Sequence, residues 1–178
     1  MRTTTLAVTM FGLCLVAVAG AALAQPQAQP PVPATAASAQ TLPSVNVFAS
    51  SAEVQALIAN ARKMHPAGQP NFNQRLLSLA PYAANLEHRT ATGPASTHEK
   101  NAELFYVVEG AATLITGGTL IGEKRTNPAN LSGTGIAGGE SRPFAKGDVF
   151  IVPQNTPHQV KDPKDGEVIL ISLHIPRG

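Results

Sequence analysis

Apolar residues along this chain follow three regimes. From Leu6 to Ala22 they run almost without interruption. Between Val54 and Ala61 they recur at helical spacing, with Val54, Leu57, Ile58 and Ala61 on one face. From Phe72 onward they come in short runs broken by Gly, Pro, Asn and Asp. The middle regime predicts one helix. Ser50 is placed to cap it, Glu53 stands three residues on as a capping box requires, and His65-Pro66-Ala67-Gly68 stops it. The last regime predicts strands at Arg75–Ala80, Ala83–Arg89, Leu104–Val108, Ala111–Thr116, Thr119–Glu123, Val149–Val152 and Val168–Ile175. Asn127–Gly139, rich in Asn, Gly, Ser and Thr, reads as a loop. Many short strands separated by turns predict an all-β sandwich or barrel, with a short N-terminal helix covering one side.

Composition narrows this picture. A chain of 178 residues suits one domain, and without Trp its core must come from Val, Ile, Leu, Ala and a few Phe. A formal net charge of +2, with no Lys/Arg cluster, predicts no nucleic-acid partner.

The N-terminal run reads as an export signal. Met1-Arg2 is a short basic start, and Ala22-Leu23-Ala24 is the small-x-small pattern that signal peptidase accepts. The rival reading is a membrane anchor, which the A-x-A site disfavours. Residues 1–24 are thus assigned as signal peptide, 25–48 as an Ala/Pro-rich flexible linker and 49–178 as the folded domain. The expected location is periplasmic or secreted, with no membrane attachment after cleavage. Cys14 lies inside the signal behind Leu13, where a lipoprotein would need a small residue. The mature chain therefore has no thiol for a disulfide or a zinc-thiolate site.

Two segments carry candidate chemistry: His98 to Gly110, and Gly147 to His158. His98 and Glu103 flank a turn at Lys100–Ala102, where a hairpin could bring both side chains to one face. His158 opens a further strand behind a turn stiffened by Pro153 and Pro157. Two imidazoles and one carboxylate meeting inside a barrel would form a facial triad with open positions, suited to Fe, Mn, Ni or Zn. Read alone, each residue could equally be structural or a solvated charge. Phe105 and Val107 share Glu103's strand parity and should line the same interior, with Tyr106 on the other face.

These segments resemble the two motifs of the cupin superfamily. The first family motif is G-x5-H-x-H-x3,4-E-x6-G. His98, Glu103 and Gly110 fit its second histidine, its glutamate and its closing glycine. Ser96 stands where the first histidine belongs, and Gly93 is not at the opening glycine position. The second motif is G-x5-P-x-G-x2-H-x3-N. Gly147, Pro153 and His158 fit it, while Asn155 replaces a glycine and Asp162 the final Asn. Asn tolerates the left-handed backbone that selects Gly, so the first of these changes is mild. The resemblance covers Thr90–Asp162, with the strands outside as flanking strands.

It implies a cupin-type jelly-roll β-barrel whose metal ligands map onto His98, Glu103 and His158. The loss at Ser96 leaves three readings open: three protein ligands with more water, a fourth ligand from Glu99, His88 or His174, or a metal-free pocket. His174 alternates with Ser172 and Leu170 and could face the barrel lumen, against the preferred reading of a terminal surface residue; His65 reads as structural at the helix C-terminus. Gly117–Arg142 is longer than a minimal cupin spacer. It reads as a solvated insertion with an extra hairpin, against a flap over the barrel mouth that binds an anionic or polar ligand with Lys124, Arg125, Asn127, Asn130 and Arg142. By resemblance the function is a metal-dependent enzyme on a small molecule, of oxygenase or isomerase type. The alternative is a non-catalytic module that binds or senses a small ligand. No residue identifies a general base. Small cupins pair through their sheets, so a homodimer is implied.

Overall fold

The computed structural model describes residues 45–177. The assigned signal peptide and most of the linker lie outside the described residues. Among the described residues there are one α-helix, a short 3-10 helix at Lys164–Gly166 and twelve strands: α1 Ser51–Met64, β1 Asn71–Leu79, β2 Tyr82–Arg89, β3 Ala95–His98, β4 Asn101–Thr116, β5 Thr119–Ile121, β6 Lys124–Asn127, β7 Asn130–Gly133, β8 Gly135–Ala137, β9 Glu140–Ala145, β10 Val149–Val152, β11 His158–Lys161 and β12 Val168–Pro176. Among the described residues, no helix is long and apolar enough to cross a membrane.

The predicted capping box is present at α1. The Glu53 amide donates to the Ser50 hydroxyl, and the Glu53 carboxylate accepts from the Ser50 amide. The apolar face of the helix then packs on β1 and β2. Ile58, Ala61, Leu86 and Ile169 form a small buried cluster there, with Val54, Leu57, Phe72 and Val108 against it. Asn46, within the stretch assigned to the linker, already forms a bridge with Ser78 of β1.

The strands form two antiparallel layers that share β4, curled into the half-barrel of a jelly roll. The first layer runs β1-β2-β12-β4-β10, and the second β9-β4-β11-β3-β7-β6. The sequence suggests two strands across Leu104–Thr116, because Gly110 reads as a stop. The chain instead continues as one long strand. Its first half pairs with β12 and β10, and its second half with β9 and β11. Gly110 is the corner between them, at φ +79°, and a Cβ there would meet the Glu167 carbonyl oxygen at 2.5 Å. Only glycine fits both the backbone angle and the space.

Two further expectations change. Asn127–Gly139 is not a loop: it supplies β7 and β8, which pair with β6 and β5. Its residues carry low strand propensity, and neighbours recruit them, since β7 also lies beside β3. Glu140–Ala145 likewise pairs along the second half of β4, despite Pro143 within it. As an edge strand β9 tolerates a residue without an amide proton.

The space between the layers holds the main core: Phe105, Val107, Ala112, Leu114, Phe144, Val152, Val160, Val168 and Leu170, with Phe150 packed against it. Phe105 and Val107 point inward as their parity predicts, and Tyr106 takes the outer face. Alternation along β4 also turns Glu103 inward, and Glu103 is 5% exposed.

Candidate metal centre

Glu103 is the hub of the site. Its carboxylate is met by three imidazoles from three different strands. His98 Nε2 stands 3.1 Å and His158 Nε2 3.2 Å from Oε2, while His174 Nε2 is 3.4 Å from Oε1. The donor atoms of His98, Glu103 and His174 all lie within 4.8 Å of one another. The His98 ring lies 5.1 Å from the His158 ring and 4.8 Å from the His174 ring, centroid to centroid.

The backbone explains each placement. His98 ends β3, and its carbonyl accepts from the Asn155 amide, which ties the two motif segments together. Asn155 sits at φ +58°, the left-handed conformation expected for a residue that replaces a glycine. His158 opens β11 directly opposite Ser96, where the resemblance calls for the missing histidine. β3 and β4 do not form the hairpin that the sequence suggests. β3 lies between β11 and β7, so His98 and Glu103 meet across the interior rather than along a ladder.

His174 is the residue that sequence reasoning misjudged. It is not a terminal surface residue. β12 pairs with β4 in a register that sets His174 directly opposite Glu103, with Ser172 opposite Phe105. Residues opposite each other in a ladder point to the same face, so a buried Glu103 draws His174 inward. The parity of Leu170, Ser172 and His174 is legible in the sequence. The missing information is that the last strand pairs with the strand carrying Glu103. The other two candidates for a fourth ligand lie elsewhere. Glu99 pairs with Arg125, and His88 contacts Glu167 and His65 beneath the helix.

Hydrogen bonds at the far side of the rings fix what the near side can do. The acceptor for His158 Nδ1 is the Thr156 carbonyl at 3.1 Å, and for His98 Nδ1 it is Asn130 Oδ1 at 2.8 Å. Both Nδ1 atoms must therefore donate. In a neutral ring the lone pair is then left on Nε2, facing the carboxylate. An acceptor facing an acceptor repels, and only a cation between them resolves the contact. That cation is either a proton on each ring or one metal ion.

His98, Glu103 and His174 have donor atoms close enough to share one metal ion, whereas His158 reaches Glu103 but stands outside that group. Nitrogen or oxygen ligands about 2.1 Å from a common ion stand roughly 3.0 Å apart at octahedral corners and roughly 3.4 Å apart at tetrahedral ones. The contacts to Glu103 span that range, from 3.1 to 3.4 Å. The outer contacts to Asn130 and the Thr156 carbonyl are the kind that orient ligating histidines. The His174 Nδ1 is buried without a partner.

Electrostatics follow the same pattern. Burial pushes the Glu103 carboxyl upward, yet the hydrogen bonds of His158 and His98 outweigh it and hold the group well below the usual carboxylate range. Burial disfavours protonated His98, but Glu103 and Asn130 more than compensate, and its pKa is raised. For His174 burial prevails, and its pKa is lowered. A second buried carboxylate, Glu87, lies at the 87/170 register of β2 and β12. It accepts from the Ser172 hydroxyl and the Arg89 guanidinium.

The long spacer resolves into paired strands. Arg125 is ion-paired with Glu99 and Arg142 with Glu140, so neither guanidinium is a bare anion receptor. The spacer does contribute Asn130, whose role toward His98 no sequence signal marks.

A two-layer antiparallel jelly roll that gathers imidazoles and one glutamate between its sheets defines a class of barrel proteins. The chain belongs to the cupin family, whose profile matches residues 46–175. No curated protein matches it. Among solved structures it is similar to the Cnp3 cupin domain of Schizosaccharomyces pombe, at 17% identity and TM-score 0.46, covering 65% of this chain and 72% of that one. It is also similar to the TT1209 protein from Thermus thermophilus, at 15% identity and TM-score 0.47, covering 64% and 90%. KdgF from Halomonas sp. matches at 19% identity and TM-score 0.44, covering 64% and 87%. At these identities the likeness concerns the fold.

Proposed function

We propose that this chain is an exported cupin that binds one divalent metal ion and acts on a small molecule as a metal-dependent enzyme of oxygenase or isomerase type. The supporting observation is the convergence of His98, His158 and His174 on the buried Glu103 carboxylate, with the His98 and His158 rings anchored at Nδ1 by Asn130 and the Thr156 carbonyl. His98, Glu103 and His158 are the ligands expected from the motifs. His174 supplies the donor that Ser96 does not. With only nitrogen and oxygen donors, Fe, Mn, Ni or Zn suits the site. Such an ion supplies a Lewis acid or redox centre when bound.

The chain's own groups hold the ligand rings in one tautomer and keep the carboxylate ionised. The Phe105 ring packs beside His158, with centroids 6.4 Å apart, within the main core. The export signal supports a periplasmic or secreted location. Tyr106, Val149 and Ile151 are exposed on the outer face of the first layer, which supports pairing of two copies.

A second reading is a non-catalytic module that binds or senses a small molecule. The serine opposite His158 favours it, since the usual first histidine is absent.

Elemental analysis of the purified protein tests the metal reading, with the His98→Ala/His158→Ala double variant beside it. Near-stoichiometric metal in the wild type, lost in the variant, is the expected result. Metal retention should also fall with acid pH, because histidines must be neutral to ligate. A folded wild type that takes up none of the four metals would overturn the reading and favour the binding module.

A further inference from the structure

The two histidines outside the metal centre, His65 and His88, meet beneath the helix. His65 Nδ1 and His88 Nδ1 are 3.0 Å apart, with the rings edge to face at 85°. At the outer end of this chain, His65 Nε2 stands 2.9 Å from the Gln69 carbonyl. At the inner end, His88 Nε2 stands 2.8 Å from Glu167 Oε2. His88 is buried, with 4% of its side chain exposed.

Hydrogens can be counted along this chain. A carbonyl and a carboxylate only accept, so both outer nitrogens must carry a proton. The central N···N contact needs one more. Three protons therefore sit on four nitrogens, whereas two neutral imidazoles carry only two. The geometry thus requires one proton beyond neutrality, shared by the pair.

The surroundings match that charge. Glu167 also accepts from Arg62 on α1, and Arg62 donates to Glu109 on β4. Two carboxylates face one guanidinium and one singly protonated histidine pair, so the network is balanced. From the other elements, β1 presents the Phe72 ring at 6.2 Å, and β2 presents the Thr90 hydroxyl, 3.4 Å from His65 Nε2. The charged neighbours of His88 along β2, Glu87 and Arg89, pair with each other on the interior face.

We propose that His65 and His88 form a proton-sharing latch that fastens the C-terminal end of α1 to β2, closed only while the pair is singly protonated. Adding a second proton sets N–H against N–H across the central contact. Removing the shared proton leaves a bare lone pair facing Glu167, the other ring or the Gln69 carbonyl. Both changes loosen α1 from the surface formed by Leu86 and Ile169. The latch rests on no metal and does not depend on the proposed activity.

Ring nitrogen NMR of the purified, histidine-labelled protein reads the proton count directly, from about pH 5 to pH 9. Amide exchange across Ser51–Met64 is followed in parallel. Three protonated nitrogens shared by these two rings are expected in a middle window. Exchange of the helix amides, corrected for intrinsic rates, should be slowest in that window and about tenfold faster on either side. The His65→Gln variant should abolish the window and leave one flat profile. Two neutral rings throughout, or helix exchange without a pH optimum in the wild type, would overturn the latch. The wild-type spectra decide this even if the variant folds poorly.

Discussion

The interior and the outer surface of the first layer each hold a cluster of histidines around a glutamate, and the two are wired differently. Inside, His98, His158 and His174 converge on Glu103, with two of the three Nδ1 atoms already committed to acceptors. Outside, His65, His88 and Glu167 run in series, each ring touching the next through a single nitrogen. Convergence leaves several lone pairs sharing one small volume, which suits a metal ion. A chain leaves one gap to fill, which suits one proton. Residue types alone do not separate these outcomes. β2 and β12 pair over seven residues and show one cluster on each face, and it is strand parity that allots His88 to the helix and His174 to the interior.

Removing the hub should have the largest effect. Glu103→Gln takes the only carboxylate from the convergent set, and metal content should drop below about a tenth of the wild-type value, measured by elemental analysis after dialysis. The series cluster should be untouched, so α1 exchange should stay at wild-type values. Next comes His174→Ala. If β12 completes the set, metal affinity should fall by about one to two orders of magnitude in competition with a chelator. An unchanged affinity would return the site to three protein donors. Asn130→Ala should follow at about tenfold weaker metal binding, because His98 then loses the acceptor that fixes its tautomer. Asn130 is part-buried on a hairpin strand, so the thermal midpoint of the metal-free protein should change little.

Much of this arrangement is legible in the residues alone. Local signals carry the helix, because Ser50, Glu53 and the Val54–Ala61 spacing are contacts within a turn or two. Two spaced motifs carry the family and three of the four candidate site residues. What sequence does not carry is pairing. That β12 lies beside β4, rather than at an edge, decides that His174 faces Glu103. That β3 pairs with β7 brings Asn130 to His98 from 32 positions away. Likewise, the Asn- and Gly-rich spacer has the composition of a loop but is drawn into ladders by strands that form elsewhere. In each case the deciding contact is long-range, and no local periodicity encodes it.

The smallest expected effect concerns the outer cluster. Hydrogen bonds from Arg62 hold the Glu167 carboxyl below its usual range. Burial opposes this, and the His88 contact adds to the lowering. A carboxyl depressed in the folded state stabilises the fold fully above the unfolded value and ceases to do so as pH falls through the folded one. Glu167→Gln should therefore cost stability near neutral pH and cost progressively less in acid. Glu167 and Arg62 are both partly exposed, so the loss should be about 1 kcal/mol or less in urea denaturation at neutral pH. The same substitution removes the negative charge at the inner end of the histidine pair, while Glu103 keeps all three of its imidazoles. Metal content should then stay at wild-type level as the stability difference closes with acid. A Glu167→Gln variant that lost metal would show that the two clusters communicate through β12, and the separation by strand parity would fail.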